Sequence, residues 1–261
     1  MNPNASSTPV IQLTEVTKHF FHWKDPPPSL KRVLVDACRG KMPWRKRTRF
    51  TVLDNVSFDI YRGEFVGIMG RNGAGKSTLL KLISGIYQPS YGTLTVRESI
   101  APLIELGAGF HQDLSGYENI FLNAAILGFG RKVTLDTAPA IIEFSELGDM
   151  IDMPIKNYSS GMLVRLGFSI ASHLPAPIIL MDEVLSVGDI GFQMKVLKKI
   201  QDLHQQGRTI VLITHDPEQV KRHCDRCIVI SHHKKIFDGT ALQGAERYVQ
   251  IANESSVPLS G

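Results

Sequence analysis

Residues 70–78 read Gly-Arg-Asn-Gly-Ala-Gly-Lys-Ser-Thr, a complete G-x-x-x-x-G-K-[ST] phosphate loop. Such a loop works at the turn from a buried strand into a helix. Its flanks agree: residues 64–69 are apolar enough for a buried strand, and residues 79–83 suit a helix. Gly73 and Gly75 let the backbone wrap tightly, so that successive N–H groups face one anion. The following helix adds the positive end of its dipole. Lys76 can reach β- and γ-phosphates, and the Ser77 hydroxyl can ligate Mg²⁺. A chance glycine turn explains the spacing, the Lys-Ser pair and the flanks poorly. The expected nucleotide cradle is Gly70, Asn72, Gly73, Gly75, Lys76, Ser77 and Thr78, and the expected ligand is a nucleoside triphosphate.

Length and composition set outer limits. At 261 residues, 43% of them hydrophobic and 21% charged, the chain can bury one large α/β core. A net charge of +4 is too mild to argue for nucleic acid by itself. No apolar run reaches the roughly 18 residues that a membrane-spanning helix needs. The first residues are polar and show no secretory leader, and with three cysteines the expected setting is a reduced cytosol.

Charge is unevenly spread. Residues 31–49 hold Lys31, Arg32, Arg39, Lys41, Arg45, Lys46, Arg47 and Arg49 against one acid, Asp36. This run interrupts two β-like segments, 10–17 and 51–60, and is expected to be an insertion over residues 22–50. It reads either as a solvated excursion or as a surface for anionic head groups or a membrane partner. The Ser-, Asn- and Pro-containing tail at 252–261 is expected to be flexible.

Residues 178–183, Ile-Ile-Leu-Met-Asp-Glu, suit a buried parallel strand whose C-terminal end meets the phosphate loop. There Asp182 can hold the Mg²⁺ shell, and Glu183 can polarise a water for in-line attack on a γ-phosphate. Upstream, Ser159-Ser-Gly161 precedes an amphipathic run at 162–174. Alone it is only a helix with Ser159 as its N-cap.

In combination these stretches resemble the nucleotide-binding subunit of ABC transporters, over nearly the whole chain. Tyr158-Ser159-Ser160-Gly161-Met162 stands at the Leu-Ser-Gly-Gly-Gln signature, Ser186-Val-Gly-Asp189 at the D-loop, and Thr214-His215-Asp216 at the switch histidine. Phe20 stands where that family stacks an aromatic on adenine. Within the family, Leu103-Ile-Glu-Leu-Gly-Ala-Gly-Phe-His111 and the insertion resemble ATPases that export O-antigen, capsule or teichoic acid.

The resemblance implies an α/β fold: a phosphate-loop ABC ATPase core with an N-terminal antiparallel β-subdomain. A helical signature subdomain is implied at 110–165, all within one domain at 10–250. It implies ATP and Mg²⁺ as cofactors, with Ser77 and Asp182 at the metal and Glu183 and His215 as catalytic residues. A homodimer follows, in which Ser159 and Gly161 of one copy cover the γ-phosphate held at Lys76 of the other. Glu105, Phe110 and Asp189 become interface residues, with Phe110 expected to be exposed towards an integral-membrane permease. The implied place is peripheral, on the cytoplasmic side of the inner membrane, with no nucleic-acid partner.

The chain departs from the family in places. No clear Q-loop glutamine precedes Glu118; Glu105 or Gln112 could replace it, and Glu105 is preferred. His233 stands at a common turn glycine, where φ > 0 is expected. Cys224-Asp-Arg-Cys227 reads as buried structural cysteine rather than as a metal or redox site. The competing readings are an ATPase of another ABC transporter, a soluble ABC ATPase, and a kinase with an unrelated phosphate loop.

Overall fold

A computed structural model of the chain describes residues 8–23, 47–103, 107, 109–182 and 189–254. The first half runs β1 (Ile11–Trp23), β2 (Arg47–Ile60), β3 (Phe65–Met69), α1 (Lys76–Ile83), β4 (Tyr91–Val96), β5 (Ile100–Leu103), α2 (Gly116–Ile126) and α3 (Arg131–Ser145). After two short 3-10 turns come α4 (Ser160–His173), β6 (Ile178–Asp182), α5 (Ile190–Gln205), β7 (Thr209–Thr214), α6 (Pro217–His223), β8 (Arg226–Ser231), β9 (Lys234–Thr240) and α7 (Ala241–Glu254).

Two sheets result. β2, β1 and β4 form an antiparallel sheet, and the second sheet has the order β5-β6-β7-β3-β8-β9. All its strand pairs are parallel except β8 with β9. The central strands β3 and β7 are buried at every position, as strands covered on both faces must be. The fold is therefore the α/β phosphate-loop architecture with an antiparallel sheet and a helical part.

Alternation along the strands sorts the core. Ile178 and Leu180 of β6 join Leu79, Leu80, Leu82 and Ile83 of α1 and the inner faces of β1 and β2. Ile179 and Met181, on the opposite face, join Phe168 of α4 and Phe192, Val196 and Ile200 of α5. A third cluster unites α2, α3 and α4 through Ile120, Ile141, Leu166 and Ile170. Each such fully buried aliphatic side chain contributes about 1.5–3 kcal/mol, so α4 is fixed from two sides.

The first two strands are longer than their hydrophobic pattern suggests. β1 reaches Trp23 and β2 starts at Arg47, paired as Trp23↔Arg47. The expected insertion at 22–50 is thus narrower, because its ends continue the ladder; residues 24–46 lie outside the described residues. Phe110 also differs from expectation. It is half-buried against the α2–α4 cluster rather than exposed, and its N–H donates to Gly107 O at 3.0 Å.

His233 has φ 68° and His232 φ 47° in the β8–β9 turn. The His233 carbonyl accepts from Asp54 N at 2.8 Å, and its ring Nδ1 lies 3.1 Å from Val52 O. These two bonds to β2 offset the left-handed backbone.

Candidate functional site

Three strand ends meet at one edge of the parallel sheet. Met69, the last residue of β3, pairs with Thr214 of β7, and Asp182, the last of β6, pairs with Ile213. The phosphate loop, Asp182 and His215 therefore leave the sheet side by side. His215 and Ser77 are exposed and Asp182 is half-buried.

The loop needs its glycines for different reasons. Gly73 has φ 81° with open space where a Cβ would sit, so only its backbone angle favours glycine. Gly75 has φ 104°, and a Cβ there would run into the Val52 carbonyl oxygen. As the N-cap of α1, Gly75 leaves the first turn without a side-chain cap. The N–H groups of that turn lack helical acceptors by geometry and suit an anion. Thr78 is half-buried and Asn72 exposed on the loop.

Lys76 is 8% exposed. Its Nζ donates to Gly70 O at 2.6 Å and to Arg71 O at 3.2 Å. The loop's own carbonyls thus hold the ammonium over the turn. Phosphate oxygens at the same place would replace them with charge-assisted bonds.

The two residues expected at a metal, Ser77 and Asp182, offer a hydroxyl and a carboxylate, hard oxygen donors of the kind Mg²⁺ takes. Among the described residues no group of three or more His, Cys, Asp or Glu could hold an ion. Mg²⁺ keeps several waters and shares substrate phosphates, so a two-ligand protein contribution suits it. Glu183, the expected base, lies outside the described residues, as do Glu105 and residues 186–188.

Phe20 is half-buried in β1. It stacks on Phe50 at 5.9 Å and meets Tyr87 edge-on at 5.4 Å. Lys18 Nζ lies 5.2 Å from its centroid. Phe20, Phe50 and Tyr87 thus form one aromatic group at the β1–β2 pairing.

Ser159 caps α4, its Oγ accepting from Met162 N at 3.3 Å. Gly161 lies one residue inside the same helix, and Ser159 and Ser160 are exposed. The hydrogen bonds of Ser159 run to Met162 and Leu163, so within one chain the signature serves its own helix.

Two polar clusters beside these segments are not marked in the sequence. Arg165, one turn into α4, pairs with Asp189 and with Glu146, the latter at 2.7 Å. It also lies 4.8 Å over the Phe192 ring. Asp189 in turn caps α5, accepting from Phe192 N at 3.0 Å. That N–H and then Arg165 hold the Asp189 carboxyl below its ordinary range. Lys195, then Arg165, do the same for Glu146.

The second group is Asn119. Its Oδ1 accepts from His111 N at 2.8 Å, and its Nδ2 donates to His111 O, Leu114 O and Ser115 O at 3.1, 3.2 and 2.8 Å. One buried amide thereby sets the path of residues 111–115. Next to it, Ser115 and Glu118 form a reciprocal capping box on α2. The Ser-x-x-Glu spacing carried that cap in the sequence; nothing local marked Asn119.

Cys227 is buried and Cys224 half-buried. Burial pushes both thiols up, Cys227 to about 12, which keeps them protonated and unreactive.

Residues 53–186 match the model of the ABC transporter family. The chain is 43% identical over 242 residues to the O-antigen export system ATP-binding protein RfbB of Klebsiella pneumoniae, covering 93% of this chain and 98% of that protein. It is 43% identical over 205 residues to the teichoic acids export ATP-binding protein TagH of Listeria monocytogenes serotype 4b, covering 78% of this chain and 61% of that one. Among solved structures, an ATP-binding subunit of an ABC transporter superposes with a TM-score of 0.72 at 21% identity, covering 93% and 99% of the two chains. An ATP-binding cassette solved as a dimer with ADP and Pi gives 0.68 at 22% identity, covering 88% and 98%.

Proposed function

The chain belongs to the ABC transporter family, as an ATP-binding, ATP-hydrolysing subunit, and on that premise we propose that it powers export of a cell-surface polysaccharide through a separate membrane permease. The observation that carries this reading is the near full-length identity to an O-antigen export subunit. The teichoic acids export relative widens the cargo class to polymers of the teichoic acid type.

The residues divide the work. Lys76 exchanges the carbonyls of Gly70 and Arg71 for β- and γ-phosphate oxygens, and the backbone N–H groups of 73–78 hold the rest. Ser77 and Asp182 would hold Mg²⁺, which would neutralise phosphate charge there. Glu183 orients and deprotonates the attacking water, and His215 donates to the γ-phosphate. Phe20 supports the adenine. Ser159 and Gly161 of a second copy complete the cradle, so that ATP joins two subunits and hydrolysis parts them.

Among the described residues no helix is long and apolar enough to cross a membrane. The subunit works from the cytoplasmic side, docked on its permease. Glu105, half-buried Phe110 and the loop that Asn119 fixes form the docking side, and Asp189 faces the second copy.

Affinity purification of the tagged chain from detergent-solubilised membranes tests this. A multi-span permease should co-purify, and Phe110→Ala should weaken that capture while hydrolysis by the free subunit stays within a few-fold. Co-sedimentation with ribosomes instead of membranes would sink the exporter reading.

A further inference from the structure

β4 pairs with β1 only as far as Thr17↔Tyr91, whereas β1 and β2 remain paired to Trp23↔Arg47. Residues 19–23 and 47–51 therefore form a two-stranded ribbon beyond the three-stranded sheet. Its register separates two faces. One holds Phe20 on Phe50, beside Tyr87, and is the face proposed above to support adenine. On the other, Phe21 is 60% exposed and pairs directly with exposed Arg49. Arg47, also exposed, is one pleat further along that face. His19 continues it towards the sheet and meets the ring of Tyr91, which is 63% exposed.

The sequence of the ribbon and of the stretch that joins its two strands is strongly basic. Between residues 18 and 53 the sequence carries ten Lys and Arg against two Asp, a net of +8. The whole chain is +4, so the remainder is −4. A chain polarised in this way turns its ribbon towards an anionic surface. Exposed aromatic rings among cations suit the head-group level of a bilayer. A long polyanion reaching past the ribbon would meet the negative remainder, which disfavours nucleic acid.

We propose that the Phe21–Arg49–Arg47 face of the β1–β2 ribbon binds anionic lipid head groups of the membrane surface, independently of nucleotide. This does not rest on the exporter reading, because it needs no permease.

Co-sedimentation of the purified full chain with lipid vesicles tests it. Vesicles of phosphatidylcholine alone are compared with vesicles containing one third phosphatidylglycerol, at physiological and at high salt. Binding should require phosphatidylglycerol and fall with salt. The Arg47→Ala/Arg49→Ala variant should lose roughly 25-fold in vesicle affinity, about fivefold per basic residue, with ATP affinity unchanged. Phe21→Ser should weaken binding further, and Arg47→Lys/Arg49→Lys should retain it. Equal binding to neutral vesicles, or vesicle affinity unchanged in the double alanine variant, would overturn the proposal. So would displacement from vesicles by a single-stranded oligonucleotide at lower concentration than lipid. If the alanine variant fails to fold, the lysine variant and the salt titration decide in its place.

Discussion

Arg165 on α4 and Asp189 at the head of α5 form an ion pair that joins the helix capped by Ser159 to the segment that follows β6. Glu146, from the end of α3, closes the group through both Arg165 and Lys195, at 2.7 and 2.8 Å. Both acids are substantially exposed, so the pairs govern position more than stability. Arg165→Met is expected to leave ATP affinity within about twofold and to lower hydrolysis by roughly tenfold, as Ser159 loses its register with Asp189. Arg165→Lys should recover only part of this, lacking the planar fork. Side-by-side nucleotide titration and phosphate-release rates check it; unchanged hydrolysis in Arg165→Met would show the pair to be idle.

Gly73 and Gly75 make a matched comparison. Gly75→Ala meets both a left-handed φ and the Val52 carbonyl, and should cost about 3 kcal/mol or more in stability. Gly73→Ala meets the backbone angle alone, for about 1–2 kcal/mol. Thermal melts without nucleotide should rank them in that order. The reverse ranking would contradict the packing of the loop against β2.

His173 supplies a pH test. Its Nδ1 lies 2.8 Å from Ser169 O and its Nε2 2.9 Å from Lys199 Nζ, so the neutral ring donates at Nδ1 and accepts from the lysine. Burial, with the charges of Lys199, Arg208 and Lys195, lowers its pKa to about 4. The unfolded chain takes up this proton near the ordinary value of about 6.5, while the folded chain resists until about 4. Stability from the neutral ring is therefore present above the unfolded value and declines as pH falls from about 6.5 towards about 4. Thermal midpoints of the parent and His173→Gln, measured from neutral pH down through this window, should converge as pH drops. A constant gap would mean that His173 titrates normally.

The phosphate loop, the β6 carboxylate and the histidine after β7 were legible because each is written in consecutive residues at a strand end. The order of the parallel strands then brings them to one edge without further information. The ribbon ends were less legible. Phe20, Phe21 and His22 lack clean alternation, and Arg47-Thr-Arg49 looks like part of a basic loop until its pairing with β1 is seen. Phe110 differs from expectation because a Gly-flanked aromatic suggests exposure; the α2–α4 cluster that half-covers it is built from residues as distant as Leu174. Arg165–Asp189 and Asn119–His111 are likewise tertiary pairs, invisible in a linear reading.

On the proposed function, ATP hydrolysis at this sheet edge drives polymer to the cell surface. The most direct measurement is surface polysaccharide in cells whose only copy carries Glu183→Gln, alongside phosphate release by the purified variant. Loss of the base should slow hydrolysis by about 10²–10⁴-fold while ATP still binds and holds a dimer on gel filtration. Those cells should lack the surface polymer and accumulate it inside, as should cells carrying Lys76→Ala, whose protein no longer binds ATP. Normal surface polysaccharide with a hydrolytically dead Glu183→Gln subunit would show that hydrolysis here does not drive export.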